Sequence, residues 1–179
     1  ITSTRKKSRD GQKVMTKQEK FVVDYYPVAK LAGGYFIMDP LIILAQSAHE
    51  TGWGTSILAR SHNNFFGITA GGKKNAYWDG KIYQAQNQYA LKFRSYKSPR
   101  DSFLDFGRLI GTMPAYRKAY RYAKTDPLAY AREISLSPYI SEANGDNREQ
   151  YRRAIELHYT TIKNIVQKKG LAPRSKPPF

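Results

Sequence analysis

A single carboxyl group, Glu50, lies at the end of a segment whose pattern could make it an acid catalyst. The segment begins with Asp39, a residue type that caps helices, and Pro40, which suits the first helical position because it lacks an N–H donor. Gly52 permits the left-handed backbone that often closes a helix. A carboxyl group buried there beside the indole of Trp53 would lose water, which raises its pKa. The pattern therefore indicates a general acid, although most glutamates are solvated surface residues.

The pair His49-Glu50 also begins the zinc-protease pattern H-E-x-x-H. The position of the second histidine holds Trp53. Because that motif needs both histidines to bind the metal, the sequence excludes a zinc site of this type. We expect neither a metal nor an organic cofactor.

Four segments occur together in an order typical of one enzyme family. They read AQSAHETGWG at 45–54, NNFFGI at 63–68, FRSYKS at 93–98 with Ser102-Phe103 after it, and MPAY at 113–116. They resemble the bacterial glucosaminidase domain, glycoside hydrolase family 73, of autolysins and flagellar peptidoglycan hydrolases. The resemblance covers nearly the whole chain, from about Phe21 to about Ile165. It implies an endo-β-N-acetylglucosaminidase that hydrolyses the glycan strands of bacterial peptidoglycan, with Glu50 as general acid.

The sequence leaves the second catalytic group open. Glycoside hydrolysis usually needs a group that activates water or stabilises the oxocarbenium-like state. Some relatives carry a glutamate in a β lobe, whereas Asp79 is the only acidic residue here between Glu50 and Asp101. Either Asp79 serves, or a positioned water or the substrate's own 2-acetamido group does this work. We favour the acetamido group, because an Asp-Gly pair is typical of a hairpin turn.

Aromatic and amide side chains are the further candidates for the site. The resemblance implies that Tyr139, in the final loop, lines the cleft opposite Glu50, where its hydroxyl could orient the acetamido group. The indoles could stack on sugar faces, and Trp53 could also pack against Glu50. Each aromatic could equally be a core residue whose polar group is satisfied. The candidates for substrate binding are Trp53, Asn64, Phe66, Trp78 and Tyr116, of which Asn64 and Phe66 would shape the cleft floor and Tyr116 matches the tyrosine of the family's N-P-x-Y motif.

The chain is strongly basic. Its 30 Lys and Arg residues outnumber 14 Asp and Glu residues, which gives a formal charge of +16. A charge of this size indicates an anionic partner, either a cell-envelope polymer or nucleic acid. We rank nucleic acid lower because no RNP-like run or zinc-finger spacing is present. A further alternative is a non-catalytic module of the same fold that binds glycan or the cell wall.

The sequence has no apolar run of about eighteen residues, so we expect no membrane span. No basic-then-apolar signal peptide begins at Ile1. The chain has no cysteine, which decides nothing about its compartment. The family resemblance implies a secreted protein or one of the cell envelope.

Local signals predict seven helical segments and one β-hairpin. They also divide the chain into a flexible basic arm at 1–15, a catalytic domain at 16–170 and a proline-rich basic tail at 171–179. The fold class is therefore α+β and mostly helical, and the resemblance implies a lysozyme-like fold with a small β-hairpin lobe. We expect helices at 17 to about 30 (ended by Gly33-Gly34), 40–51, a turn at 56–59, strands at 81–85 and 88–96, and helices from 98 to 111, from about 115, from 126 to 136 and from 147 to 168.

Overall fold

The computed structural model describes residues 13–172 of the chain. These residues form a mostly helical α+β domain with one small sheet, as the sequence predicts. The predicted arm and tail lie almost entirely outside the described residues and stay predictions. None of the described helices is long and apolar enough to cross a membrane. The helices are α1 (Lys17–Phe36), α2 (Pro40–Thr51), α3 (Ile57–His62), α4 (Pro99–Thr112), α5 (Arg117–Tyr120), α6 (Pro127–Leu136) and α7 (Arg148–Lys168), and the strands are β1 (Ile82–Gln84) and β2 (Lys92–Arg94).

Helix α2 is the central element and has the predicted bounds. The Asp39 side chain accepts a hydrogen bond from the Leu41 N–H at 2.9 Å, and Gly52 closes the helix with a φ of 54°. Most of its side chains are buried, because α2 packs between α1 and α7. Glu50 is therefore carried on an element that the core holds on two sides.

Helix α1 runs past the predicted stop at Gly33-Gly34 and ends at Phe36. Gly33 is buried, and a Cβ built on it would lie 2.5 Å from the carbonyl oxygen of Met38. The glycine thus allows a close approach of the chain instead of ending the helix. Ile37 takes the left-handed conformation, with a φ of 56°, and closes α1.

The small lobe is an antiparallel hairpin in which Tyr83 pairs with Phe93. Both strands are shorter than predicted, although one hairpin hydrogen bond continues beyond them at each end: Ser95 N–H donates to the carbonyl of Lys81 at 2.8 Å, and Ala85 N–H donates to the carbonyl of Leu91 at 2.9 Å. Tyr96 N–H donates to the carbonyl of His62 at 2.9 Å. This bond ties the lobe to the last residue of α3.

The later helices follow the prediction closely. Helix α6 ends at Leu136 and α7 ends at Lys168, and Asn147 caps α7. Helix α4 extends one residue beyond its predicted end at Gly111 and ends at Thr112. The helix predicted near residue 115 is instead a 3₁₀ turn, Pro114–Tyr116, followed by the short α5, and α3 begins and ends slightly later than the predicted turn at 56–59.

A buried carboxylate joins the lobe to the helices. Asp105 of α4 is fully buried and lies 2.8 Å from Arg94 Nη1 of β2 and 2.8 Å from Arg108 Nε. The hydroxyl of Tyr96 and the side-chain amide of Asn75 also donate to it. Removing one partner of such a pair would leave a buried charge uncompensated, so this cluster fixes the lobe relative to α4.

Candidate active site

A cleft of about 800 Å³ lies between the small lobe and the helices. Glu50, at the end of α2, lies on its inner wall. A different hollow of about 730 Å³ lies between α6 and α7, but its arginines are paired with glutamates or backbone carbonyls. We therefore place the candidate site in the cleft, whose lining includes Glu50, Gly67, Arg94, Tyr116, Tyr139, Asp146 and Tyr151.

Glu50 has the environment expected of a general acid. The Tyr151 hydroxyl of α7 donates a hydrogen bond to Glu50 Oε1 at 2.8 Å. Burial raises the pKa of Glu50 from 4.5 to about 7, the Tyr151 hydrogen bond opposes this rise, and the charge of Asp146 adds to it. This carboxyl group can therefore both hold and release a proton near neutral pH.

The aromatic wall beside Glu50 is not the predicted one. Trp53 is 8% exposed and does not line the cleft. Its ring instead packs edge-on against Phe21 and His158, at centroid distances of 5.7 and 5.0 Å. The wall consists of Tyr151 and Tyr139, so the desolvation comes from α7 and the final loop.

A tight loop holds the opposite side of Glu50. Gly67 has a φ of 64°, and a Cβ built on it would lie 2.8 Å from Glu50 Oε2. The buried side chain of Asn64 shapes this loop: its oxygen accepts from the N–H groups of Phe66 and Ile68, and its amide donates to the carbonyls of Ile68 and Arg94. Any side chain at Gly67 would press on the carboxyl group.

Phe66 is fully buried and stacks on Phe106 at a centroid distance of 4.0 Å. Its side chain, like that of Asn64, lies beneath the cleft and is not among the lining residues. That these two residues shape the cleft floor stays a prediction. Neither side chain offers a surface on which a sugar could stack.

Tyr139 and Tyr116 lie in the same cleft as Glu50. Their rings meet edge-on, with centroids 6.0 Å apart. The Tyr139 hydroxyl donates to the carbonyl of Phe66, and burial together with the charge of Glu50 raises its pKa well above 10. Tyr139 therefore stays neutral and connects the final loop to the loop at Gly67.

Asp79 and Trp78 lie in the lobe but outside the cleft lining. Asp79 Oδ1 accepts from the Lys81 N–H at 3.0 Å, and its Oδ2 lies 3.8 Å from Lys97 Nζ. Trp78 is 4% exposed; its indole N–H donates to the Lys81 carbonyl, and the Arg94 guanidinium stacks over its ring at 4.1 Å. Asp79 precedes β1 and does not lie in the turn between β1 and β2, so the hairpin turn expected of the Asp-Gly pair is wrong. Trp78 supports Arg94 instead of presenting a face for stacking.

Two cleft residues that affect the pKa of Glu50 were not predicted. Tyr151 and Asp146 follow Glu50 by about a hundred positions, and the packing of α7 against α2 brings Tyr151 and the loop before α7 to the cleft. The one available signal was that Tyr151 lies four residues before Ile155 on the buried stripe of α7. Asp146 has no local signal of this kind.

Residues 13–172 contain no group of three or more His, Cys, Asp or Glu side chains that could hold a metal ion. His49 borders the cleft, and burial lowers its pKa, so it is mainly neutral at pH 7.

The chain is similar to a known family of hydrolases and to several of its members. A family model described as mannosyl-glycoprotein endo-beta-N-acetylglucosaminidase matches residues 26–175. The peptidoglycan hydrolase FlgJ of Vibrio parahaemolyticus is 30% identical over 151 residues, which are 77% of this chain and 47% of that protein. FlgJ of Pseudomonas aeruginosa is 29% identical over 74% of this chain and 35% of its own length. The chain thus spans between a third and a half of the length of these relatives.

Solved structures show the same lysozyme-like fold. A peptidoglycan hydrolase from Sphingomonas sp. A1 is 28% identical, covers 88% of this chain and 98% of its own, and superposes with a TM-score of 0.67. The glycoside hydrolase domain of Salmonella typhimurium FlgJ, at 24% identity, covers 87% of this chain and 94% of its own, with a TM-score of 0.64. Because the identity to the Salmonella domain is below 25%, that structure is evidence for the fold alone.

Proposed function

Because the chain belongs to the glucosaminidase family of glycoside hydrolases, we propose that it is an endo-β-N-acetylglucosaminidase acting on the glycan strands of bacterial peptidoglycan. The bond that it cleaves is the one that follows N-acetylglucosamine. The names of its relatives support this substrate, since the two proteins from Vibrio and Pseudomonas are peptidoglycan hydrolases. The proposed reaction uses water and side chains, with no metal or organic cofactor.

The observation that carries this proposal is the environment of Glu50, which lines the cleft with the Tyr151 hydroxyl bonded to Oε1 and Gly67 close to Oε2. A carboxyl group with a pKa of about 7 still holds a proton near neutral pH and can also release it. In the proposed step, Glu50 donates this proton to the leaving glycosidic oxygen as the bond to C1 breaks. Tyr151 holds the carboxyl group in position through the hydrogen bond to Oε1.

The other candidate residues have roles that follow from their positions. Tyr139 and Tyr116 line the cleft and would contact the sugar rings. The predicted binding residues Trp53, Asn64, Phe66 and Trp78 would act indirectly, by holding the loops and helices around Glu50. Asp79 would shape its turn and take no part in the chemistry.

Replacing Glu50 with Gln tests the proposal, because Gln has a similar shape but no transferable proton. The release of new reducing ends from purified peptidoglycan should fall by about a hundredfold to ten-thousandfold. Binding to insoluble peptidoglycan, measured by pull-down, should be nearly unchanged. Glu133→Gln is the matched control, since Glu133 lies on α6 outside the cleft.

Retention of more than a tenth of the wild-type turnover by Glu50→Gln would remove Glu50 from the mechanism. If the wild-type protein binds peptidoglycan but releases no reducing ends, the chain is instead a wall-binding module of the same fold. The same pull-down with nucleic acid as competitor tests the less favoured nucleic-acid alternative. Strong competition would support it.

The charge of the chain fits action in the cell envelope, where the proposed substrate is found. A formal charge of +16 would hold the protein against anionic envelope polymers. Salt screens such attraction, with a Debye length of about 8 Å at physiological ionic strength. Binding to intact walls should therefore weaken as salt is added. We propose a secreted or cell-envelope location on the same grounds.

A further inference from the structure

Only two carboxyl groups among residues 13–172 line the cleft, Glu50 and Asp146. They come from different elements: Glu50 is at the end of α2, whereas Asp146 precedes α7. Hydrolysis of a glycosidic bond usually requires two such groups, one of which donates a proton while the other acts on water or on C1. Asp146 is therefore the one carboxyl group besides Glu50 that the described part of the cleft offers for the second role.

The loop that carries Asp146 holds its carboxylate at the edge of the cleft. Asp146 Oδ2 accepts a hydrogen bond from the Ser141 N–H at 2.9 Å, and Asp146 N–H donates to the Ser141 carbonyl at 3.1 Å. Between them, Gly145 takes a φ of 91°, which closes the turn. Within the part of the chain that the structure describes, Asp146 Oδ1 accepts no hydrogen bond from a protein group. This oxygen is free to bind a water molecule.

The charge of Asp146 acts on both titratable groups at the end of α2. It favours the protonated forms of Glu50 and of His49, which places the carboxylate within electrostatic reach of each. This charge therefore helps Glu50 to keep the proton that it must donate.

The neighbouring hydroxyls are less suited to the second role. The Tyr139 hydroxyl proton is directed to the Phe66 carbonyl, and the Tyr151 hydroxyl proton is directed to Glu50. Neither proton is free to polarise an acetamido oxygen in this arrangement. Asp79 is outside the cleft and bonded within its turn.

We propose that Asp146 is the catalytic base that takes a proton from the attacking water. This inference rests on the proposed function. In the step, Glu50 gives its proton to the leaving oxygen as the C1–O bond breaks, one proton of water passes to Asp146, and the water oxygen bonds to C1. One water molecule is consumed, and the two carboxyl groups then return to their starting states by exchange with solvent.

A single displacement of this kind inverts the configuration at C1, whereas participation by the acetamido group retains it. The wild-type protein can therefore be tested without any substitution. A soluble peptidoglycan tetrasaccharide is digested in an NMR tube, and the anomeric proton of the first N-acetylglucosamine reducing ends is observed before mutarotation. The α-anomer is expected, and the β-anomer would overturn the role of Asp146 while leaving the glucosaminidase activity intact. No cleavage at all would overturn the proposed function itself.

The matching substitution is Asp146→Asn, which keeps an oxygen for the Ser141 N–H but removes the base. We expect kcat to fall by about a hundredfold to ten-thousandfold, with KM changed less than threefold. Asp24→Asn, on the outer surface of α1, is the control and should match the wild type. A loss under fivefold for Asp146→Asn, or a larger loss for Asp79→Asn, would overturn the inference. Circular dichroism of both variants confirms that the fold is kept.

Discussion

Replacing Glu50 with Gln should make the protein more stable at alkaline pH and change its stability little at acid pH. Burial raises the pKa of Glu50 from 4.5 to about 7, so the folded protein binds this proton more tightly than the unfolded chain does. The tighter binding of this proton stabilises the folded state, and this contribution is fully present below pH 4.5 and is lost as the pH rises through 7. Above that pH, the folded protein must hold a charge in a desolvated site. Gln carries no charge and keeps an oxygen for the Tyr151 hydroxyl.

The expected size of this effect follows from the pKa change. One pKa unit corresponds to about 1.4 kcal/mol, so a rise from 4.5 to about 7 corresponds to about 3 kcal/mol of unfolding free energy. Glu50 keeps a minor exposed fraction, and solvent there reduces the penalty. We therefore expect Glu50→Gln to gain about 2 to 3 kcal/mol over the wild type between pH 4 and pH 8.

Urea unfolding of the wild type, Glu50→Gln and Glu133→Gln at pH 4, 6 and 8 measures this gain. Apart from the replaced glutamate, each variant keeps the titrating groups of the wild type, so their contributions cancel in each comparison. The free-energy difference between Glu50→Gln and the wild type should grow with pH, whereas Glu133→Gln should follow the wild type. Parallel pH profiles for all three proteins would refute the reasoning that Glu50 is desolvated in the folded state.

Three further substitutions test the surroundings of Glu50 and the buried cluster that joins the lobe to α4. Tyr151→Phe should move the alkaline limb of the kcat/KM profile to higher pH, because the lost hydrogen bond stabilised the carboxylate; an unmoved limb would argue against this contact. Gly67→Ala should lower kcat at least about tenfold while costing about 1 to 3 kcal/mol of stability, because its φ is 64° and the new methyl group would meet Oε2; wild-type turnover in a folded variant would count against this. Asp105→Ala should cost about 3 to 5 kcal/mol, because Arg94 would stay buried without its carboxylate, and an unchanged urea midpoint would contradict it.

The sequence predicts those parts of the fold that depend on local signals. Helix α2 has the predicted bounds because Asp39, Pro40 and Gly52 act on the backbone within one turn of their own positions. The end of α1 is different, because Gly33 resembles a helix stop in the sequence but serves a contact with the carbonyl of Met38. That contact belongs to the tertiary structure and has no local signal.

The candidate site also contains some residues that the sequence predicts and others that it does not. The sequence predicts Glu50 as a site residue from its helix and from the family segments, and it predicts Tyr139 in the cleft, but it does not predict Tyr151 or Asp146. Tyr151 and Asp146 reach the cleft through the packing of α7 against α2, which no spacing within the sequence indicates. Trp53 was expected beside Glu50 because the two are close in the chain, yet its apolar ring packs between Phe21 and His158.

The identity of the sugar at each new reducing end tests the central claim most directly. Purified peptidoglycan is digested with the wild-type protein, the new ends are reduced with borohydride, and the resulting sugar alcohols are identified by mass spectrometry. An endo-β-N-acetylglucosaminidase leaves N-acetylglucosaminitol, and the Glu50→Gln protein should leave almost none. Finding N-acetylmuramitol instead, or no new ends from the wild-type protein, would contradict the proposed activity.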